Sequence, residues 1–351
     1  MARSVRYVFV KRRKIFETDH MKESTNLSLT RAHVKLVQSA AEIMEEPASV
    51  GDKAFAPRLL AITTFPHRQP KDNPEAWTRR NGRAFLTVRP GWDHKTGKRL
   101  PYPSGSIPRL LTVYLCREAK RADAKGDKSG KIDLGHSLTA FMLDLGLNPS
   151  NGSSGAKRSD ARRLRDGMMA FFKATISFEE ELARPGSKGM QQGVQWLDMQ
   201  IAPQGVLWWN AKQPDQATLW GSWIKVSPEF REALVASAIP LDMRALRALK
   251  ASSLAIDLYI WLCHESDRAQ RTGKGRFVAW SKLMEQFGTG WTSPKRFGEE
   301  ARAALRKVQT VYPQLRLGSL KGGITIDATS RQAIEPREPI TIKQDDPTKA
   351  R

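Results

Sequence analysis

Lysine and arginine cluster in two stretches of the chain that also have helical periodicity. Residues 157–173 contain six Lys or Arg against two Asp, and residues 295–307 contain five against two Glu. In both stretches apolar residues recur at helical spacing, so a helix would bury them on one side and turn its cations outward. Such cations can hold phosphate oxygens, and arginine can also pair with a guanine edge in the major groove. The two stretches therefore indicate binding of double-stranded DNA.

The candidate contacts lie opposite these apolar stripes, at the N-terminal ends of the helices and in one later turn. Ala161 and Leu164 begin the first stripe, and Phe297 and Ala301 begin the second. Any surface helix carries charges outside, but a positive bias that occurs twice in a chain of net charge +22 favours DNA over an ordinary solvated face. The predicted DNA-binding residues are Lys157, Arg158, Ser159, Arg162, Arg163, Lys295, Arg296, Arg302, Arg306 and Lys321.

The elements around the two basic helices follow one order: long helix, short strand, short helix, basic helix and hairpin. The first set is predicted at residues 107–122, 131–134, 137–145, 157–175, 175–178 and 194–199, with further strands at 206–209 and 221–226. The second set is predicted at residues 251–264, 276–279, 281–287, 294–310, 315–317 and 324–326. This is the order of a winged helix-turn-helix unit, in which a hairpin, the wing, follows the recognition helix.

We therefore predict an α+β fold with two tandem winged helix-turn-helix domains, a basic N-terminal extension and a disordered C-terminal tail. The predicted segments are a basic arm with a helical extension at residues 1–99, the first domain at 100–240, the second at 241–328 and the tail at 329–351. The tail is assigned because the chain becomes polar and carries Pro336, Pro339 and Pro347.

The N-terminal extension begins with a basic arm. Residues 1–25 carry seven Lys or Arg against three acidic residues, without clear periodicity, so they could add phosphate contacts. A helix is predicted at residues 26–46, a loop at residues 64–83, which hold three prolines, and a short strand at residues 84–88. The apolar stripe expected for that helix is Val34, Val37, Ala41 and Met44.

The sequence patterns that could indicate catalysis or metal binding do not have the spacing or the residue types that such sites require. The run from Gly126 to Lys131 resembles a phosphate-binding loop, but it has three residues between its glycines where four are needed, and Ile132 replaces Ser or Thr. The six histidines lack metal-ligand spacing, and the two cysteines, Cys116 and Cys263, lie in apolar helical stretches. We expect no catalytic residue, no cofactor and no metal.

Several motifs resemble a known family. They are PYPSGSIPRLL at residues 101–111, LGHSL at 134–138, FMLDLGL at 141–147, RLR at 163–165 and FFKATI at 171–176. Together they are similar to the plasmid-encoded RepA family of bacterial replication initiators, over roughly residues 100–326. The family commonly has an uninterrupted Leu-Pro-Tyr-Gly run, whereas this chain inserts Pro103-Ser104 before Gly105.

The resemblance implies binding to repeated sites, called iterons, at a plasmid origin, with local duplex opening and recruitment of host proteins such as a DnaA-type initiator and the replicative helicase. It also implies a monomer–dimer equilibrium. A winged-helix transcriptional repressor without origin activity is the alternative, and an enzyme of plasmid transfer or priming is disfavoured because its catalytic groups are missing. Since no apolar run reaches the length of a membrane span, we expect a cytoplasmic protein.

Overall fold

The computed structural model describes residues 30–135, 137–149, 159–186, 189–208, 221–236, 238–288, 290–318 and 321–334. By their contacts, Met1–Val34 form one unit and Lys35–Arg351 form another. The predicted basic arm, residues 1–25, and the part of the predicted tail after residue 334 lie outside the described residues. The predicted α+β fold with two winged-helix units is confirmed, and both units lie in the second of these bodies.

The first winged-helix unit begins with α3 (Ser106–Ala124), β6 (Lys131–Asp133), α4 (Leu138–Asp144) and α5 (Asp160–Phe172). Its sheet is completed by β9 (Gln204–Val206) and β10 (Trp223–Lys225), in the order β6-β10-β9. All neighbours in this sheet are antiparallel. Placing the last strand between the other two is the arrangement of a winged helix, so β9 and β10 form the wing and α5 is the recognition helix.

The sequence-based choice of the first wing is wrong. The strands that follow α5 directly are β7 (Thr175–Gly186) and β8 (Gly189–Gln200), and they join β2 (Trp77–Asn81) and β3 (Ala84–Arg89) in a four-stranded sheet of order β2-β3-β7-β8. Val88 lies opposite Ile176, which lies opposite Met199, and all three are buried. This apolar row holds the hairpin in a separate sheet, and the true wing follows it in the chain.

The second winged-helix unit follows its predicted order closely. It consists of α8 (Ser253–Thr272), β12 (Arg276–Ala279), α9 (Trp280–Phe287), α10 (Pro294–Val311) and β13 (Gly323–Ile326). Strands β12 and β13 pair antiparallel, and Leu317 bridges to Ile326 on the way to β13. The recognition helix here is α10.

Residues 53–99 contain strands: β3 confirms the strand predicted at residues 84–88, whereas β2 lies within the predicted loop. Strand β1 (Lys53–Ala56) pairs with β11 (Ile239–Asp242), the short helix α2 (Arg58–Ile62) contacts α8, and β4 (Trp92–Asp93) and β5 (Lys98–Arg99) form a small hairpin. Two more helices, α6 (Pro228–Val235) and α7 (Met243–Leu249), lie between the winged-helix units in the chain. A strand can find its partner far along the chain, and the amino-acid pattern does not disclose that partner.

The face that α1 (Arg31–Glu45) buries also differs from the predicted stripe. Val37 and Met44 are exposed, whereas Leu36 and Ala40 are buried. Both sets have helical spacing, and one is rotated from the other by about 100°. Periodicity alone therefore could not choose between them.

The first residues of the predicted tail belong to the fold. Ser330 is fully buried; its Oγ accepts a hydrogen bond from the Arg316 backbone N at 3.1 Å and donates to the Arg316 carbonyl at 2.9 Å. The Tyr312 hydroxyl donates to the Arg331 carbonyl at 2.7 Å. The described fold therefore extends beyond residue 328, where the tail was predicted to begin.

Candidate nucleic-acid interface

Helix α5 is built as its sequence predicts. The Ser159 hydroxyl accepts a hydrogen bond from the Arg162 backbone N at 3.2 Å and so caps the first turn. The apolar stripe is buried along the whole helix, at Ala161, Leu164, Met168, Phe171 and Phe172. Burial of this stripe fixes which side of α5 faces solvent.

Helix α10 has the same construction. Pro294 occupies its first turn, where a missing N–H costs nothing. Its buried stripe is Phe297, Ala301, Ala304, Leu305 and Val308. As in α5, the opposite side of the helix is left for cations.

The predicted contacts of α5 occupy three different environments. Arg163 has 61% of its side chain exposed and lies 3.0 Å from the Asp160 carboxylate, an i,i+3 pair at the surface. Arg162 is half-buried. Ser159 is only 2% exposed and its hydroxyl is used as the cap, so it is not available to a phosphate. Lys157 and Arg158 lie outside the described residues and stay predictions.

The predicted contacts of α10 are mostly exposed. Lys295, Arg296 and Arg306 are exposed to solvent. Arg302 is half-buried, and its guanidinium lies 5.1 Å from the centroid of the Trp280 ring, a cation–π contact with the start of α9. Arg302 therefore serves first to hold α10 against α9.

Lys321 is exposed in the turn before β13. This turn depends on two glycines. Gly322 has a φ of 72°, and a Cβ added to Gly323 would lie 2.3 Å from the Val278 carbonyl oxygen of β12. The Lys-Gly-Gly sequence thus lets β13 approach β12 while it presents a cation on the second wing.

Both recognition helices border one open cleft of about 700 Å³. Helix α5 contributes Asp160 and Arg163, and α10 contributes Glu300, Ala303 and Lys307. Other residues on its walls include Arg68, Lys250 and Trp291. The two recognition helices therefore border the same cleft, whose walls carry both cations and the carboxylates of Asp160 and Glu300.

Three of these cleft cations were not among the predicted contacts: Lys307, Arg68 and Lys250, whose ammonium group donates to the Gly146 carbonyl. Lys307 lies on α10, but it sits at the flank of the helix and not opposite the apolar stripe. Arg68 lies in the proline-containing segment that the sequence marks only as a loop. Lys307 could have been predicted if the residues at the flank of α10 had been counted as exposed. No local sequence pattern indicates Arg68.

A buried ion pair joins the two winged-helix units beneath this cleft. Arg109 of α3 donates from Nε and Nη2 to the two carboxylate oxygens of Asp257 in α8, at 2.6 and 2.7 Å, and both side chains are fully buried. Thr64 donates to the same carboxylate at 2.6 Å. Because the paired geometry and the added hydrogen bonds satisfy both charges, the first helices of the two units are held in one fixed relation.

His67 completes this buried network at the edge of the cleft. Its Nδ1 lies 2.9 Å from the Ser253 hydroxyl and its Nε2 lies 2.7 Å from the Phe287 carbonyl. Burial, and then the charge of Arg109, lower the pKa of His67 to about 4. The imidazole is therefore neutral at pH 7, with the Phe287 carbonyl accepting from Nε2 and the Ser253 hydroxyl donating to Nδ1.

Among the described residues, no group of three or more His, Cys, Asp or Glu is arranged to hold a metal ion. In the same part of the chain, none of the helices combines the length and the apolar character that crossing a membrane requires.

Two solved structures that match this chain have low sequence identity to it. A crystal structure of selenomethionine derivatives of domain 2 and domain 3 of RctB has 12% identity and a TM-score of 0.45, and the match covers 77% of this chain and 96% of that chain. A crystal structure of RctB domains 2-3 has 12% identity and a TM-score of 0.42, covering 76% and 94%. No curated protein matches this chain.

The family comparison is more direct. The model of the family described as plasmid encoded RepA protein matches residues 101–282, more than half of the chain. The matched span includes α5 and the wing of the first unit, and it continues through α8 and β12 of the second. It also contains the motifs from Pro101 to Ile176 that carried the sequence resemblance. The chain belongs to the plasmid-encoded RepA family of replication initiators.

Proposed function

We propose that this protein initiates plasmid replication by binding iteron repeats at the plasmid origin, where it promotes local duplex opening and recruits the host machinery. The observation that carries the proposal is that α5 and α10 border one cleft with Arg163 and Lys307 on its walls. A duplex that meets this side of the protein is contacted by both recognition helices. Membership of the RepA family supports the choice of an origin as the target.

The exposed side chains divide into two expected roles. Arg163, Arg296 and Arg306 have the guanidinium group that pairs with O6 and N7 of guanine. Lys295 and Lys321 supply point charges for phosphates, the first at the N-terminal end of α10 and the second on a wing. The helices would thus read the base sequence, while the wing fixes the position of the helices along the duplex.

Initiation in this proposal requires binding and no catalysis by the protein itself. Energy from the contacts with several repeats would be used to deform the neighbouring duplex, since bending or unwinding DNA costs several kcal/mol. A DnaA-type initiator and the replicative helicase are the proposed host partners, and the proposed setting is the bacterial cytoplasm. A monomer–dimer equilibrium is part of the same proposal.

The first test is binding to the repeats that flank the gene. The protein should bind a natural repeat more tightly than a shuffled duplex, typically by 10³-fold or more, and its affinity should fall steeply with salt. An insertion of half a helical turn inside one repeat should abolish this preference, because the two recognition helices have a fixed spacing. Equal affinity for natural and shuffled duplexes would overturn the proposal.

The second test separates an initiator from a transcriptional repressor that uses the same DNA-binding units. The protein is supplied in trans to a replicon that has the origin but lacks its own initiator gene. Maintenance of the replicon is the expected result. Repeat binding without maintenance would favour the repressor, and a positive nicking or primer-synthesis assay would instead revive an enzymatic role.

A further inference from the structure

The small hairpin β4–β5 lies against the C-terminal end of α5. Lys173, the residue that follows this helix, donates from Nζ to the Trp92 carbonyl at 3.1 Å. Gly91 packs so closely against Lys173 that an added Cβ would lie 2.4 Å from the Lys173 carbonyl oxygen. The base of the hairpin is therefore fixed to the recognition helix, and it precedes the span that the family model matches.

The contact lies on the solvent-facing side of α5. Arg162, Asp166, Met169 and Lys173 are spaced i, i+4, i+7 and i+11, which places them within an arc of about 60° at 100° per residue. Arg162 is one of the predicted DNA contacts of α5, and Lys173 is at the end of the same arc. The hairpin thus continues this face beyond the helix.

The hairpin is anchored on one side and exposed at its tip. The Arg99 guanidinium donates to the carbonyls of Pro74 and Asn73 at 2.8 and 2.9 Å, and the Leu100 backbone N donates to the Gly91 carbonyl at 2.8 Å. Lys95 and Lys98 are exposed. A rigid base with a cationic tip is suited to hold a partner at a fixed distance from α5.

The charge of the hairpin surface is positive. Arg89 is exposed just before the hairpin, and the nearest acidic group, Asp93, accepts hydrogen bonds from the Lys95 backbone N at 3.0 Å and the Thr96 hydroxyl at 2.8 Å. These hydrogen bonds stabilise the ionised carboxylate, so Asp93 keeps its negative charge, but the exposed cations Arg89, Lys95 and Lys98 outnumber it. The Trp92 ring, 50% exposed, lies beside them.

We propose that the β4–β5 hairpin is a third DNA-contacting element, which holds the phosphate backbone of the duplex flanking the segment that α5 contacts. Lys95 and Lys98 bind phosphates, and Trp92 covers the adjacent sugar surface. The proposal rests on the proposed function, since it assumes that the outer face of α5 meets DNA. Continuity with α5 and the positive surface favour the DNA backbone over a protein partner.

The test measures how affinity depends on flanking DNA. A duplex with one repeat is compared with a duplex in which about ten further base pairs extend past the α5 end, for the wild-type protein and for Lys95→Ala/Lys98→Ala. The flank should strengthen wild-type binding by on the order of tenfold and raise the salt slope by about 2, at 0.9 per phosphate. The double variant should show neither effect and should keep its preference for the repeat.

Three controls make the outcome unambiguous. Lys125→Ala/Lys128→Ala removes the same charge from exposed positions between α3 and β6, and it should keep the flank effect. A flank effect that persists in Lys95→Ala/Lys98→Ala would overturn the proposal, as would an effect seen only with a single-stranded flank. Measuring the flank effect on shuffled duplex as well separates this result from a failure of the proposed function, which would show as absent repeat preference in the wild-type protein.

Discussion

Arginines of this chain that look alike in sequence have opposite roles in the structure. Arg163 is exposed on α5, whereas Arg109, in the motif that carries the family resemblance, is fully buried against Asp257. The sequence predicted that the α5 and α10 faces would be cationic, because each of these two helices has a single apolar stripe, which decides which side is outside. It did not identify Ser159 as the N-cap, although this is a local contact with Arg162, and it could not predict that Arg302 packs on Trp280, which only the fold brings near.

The exposed cations should matter for DNA and not for folding. Arg163→Ala, and separately the double variant Lys295→Ala/Arg296→Ala, should weaken repeat binding by about 1–3 kcal/mol for each side chain that bonds a base. The affinity falls because each such replacement removes a hydrogen bond to DNA. The free energy of unfolding should change by less than about 1 kcal/mol, since these side chains are exposed. Fluorescence anisotropy measures the affinity for DNA, and urea unfolding measures the free energy of unfolding. Unchanged affinity would show that these faces do not meet DNA.

The buried His67 predicts a pH dependence of stability. Its pKa is about 4 in the folded protein, against 6.5 for an ordinary imidazole, because burial disfavours the charged form. Between these values the unfolded chain binds a proton that the folded chain does not, so folding loses free energy as the pH falls from about 6.5 to 4. Urea unfolding at several pH values should show a steeper loss for wild-type than for His67→Gln, and parallel curves would contradict this assignment.

At the scale of elements, helices were predictable and strand partners were not. The order of elements in the second unit was predicted correctly because its helices, turns and strands follow one another locally, although α8 runs to Thr272, beyond its predicted end at residue 264. The first unit was misread because β7 pairs with β3, which lies before α3 in the chain, and β8 pairs with β7 in the same sheet. An alternating pattern identifies a strand and its buried face, but the choice of partner depends on tertiary packing.

The contact between the β4–β5 hairpin and α5 can be tested through Gly91. Gly91→Ala forces a Cβ against the Lys173 carbonyl, and it should destabilise the protein by about 1–3 kcal/mol as the hairpin moves away. Gly51→Ala is the matched control, because its added Cβ would find its nearest neighbour at 3.6 Å, an ordinary contact. Thermal unfolding compares the two variants, and equal melting temperatures would show that the hairpin is not tightly seated.

At the scale of the whole molecule, the spacing of the recognition helices depends on the contact between two first helices. Arg109 on α3 and Asp257 on α8 lie 148 positions apart in sequence. No local pattern predicts their pairing, and yet it fixes α5 relative to α10 through the helices on which each packs. The cleft is therefore a property of the assembled pair of units and of neither unit alone.

Removing one partner of this pair should be far more harmful than removing both. Asp257→Ala leaves the Arg109 charge buried without its carboxylate and should cost about 3–5 kcal/mol of unfolding free energy. Arg109→Met/Asp257→Leu replaces both charges by apolar groups and should recover most of that loss. Urea unfolding measures both variants. Similar losses for the two would show that the pair acts through shape and not through charge.

The pairing of β3 with β7 limits where this protein can be cut. A fragment that starts at residue 101, where the family match begins, would lack β1, β2 and β3, and it would uncover the backbone edge of β7 at Thr175–Glu180. Unpaired edges of this kind template intermolecular strand addition. Such a fragment should form aggregates on expression, whereas one that begins before Lys53 retains every strand of these sheets and should remain monodisperse in size-exclusion chromatography.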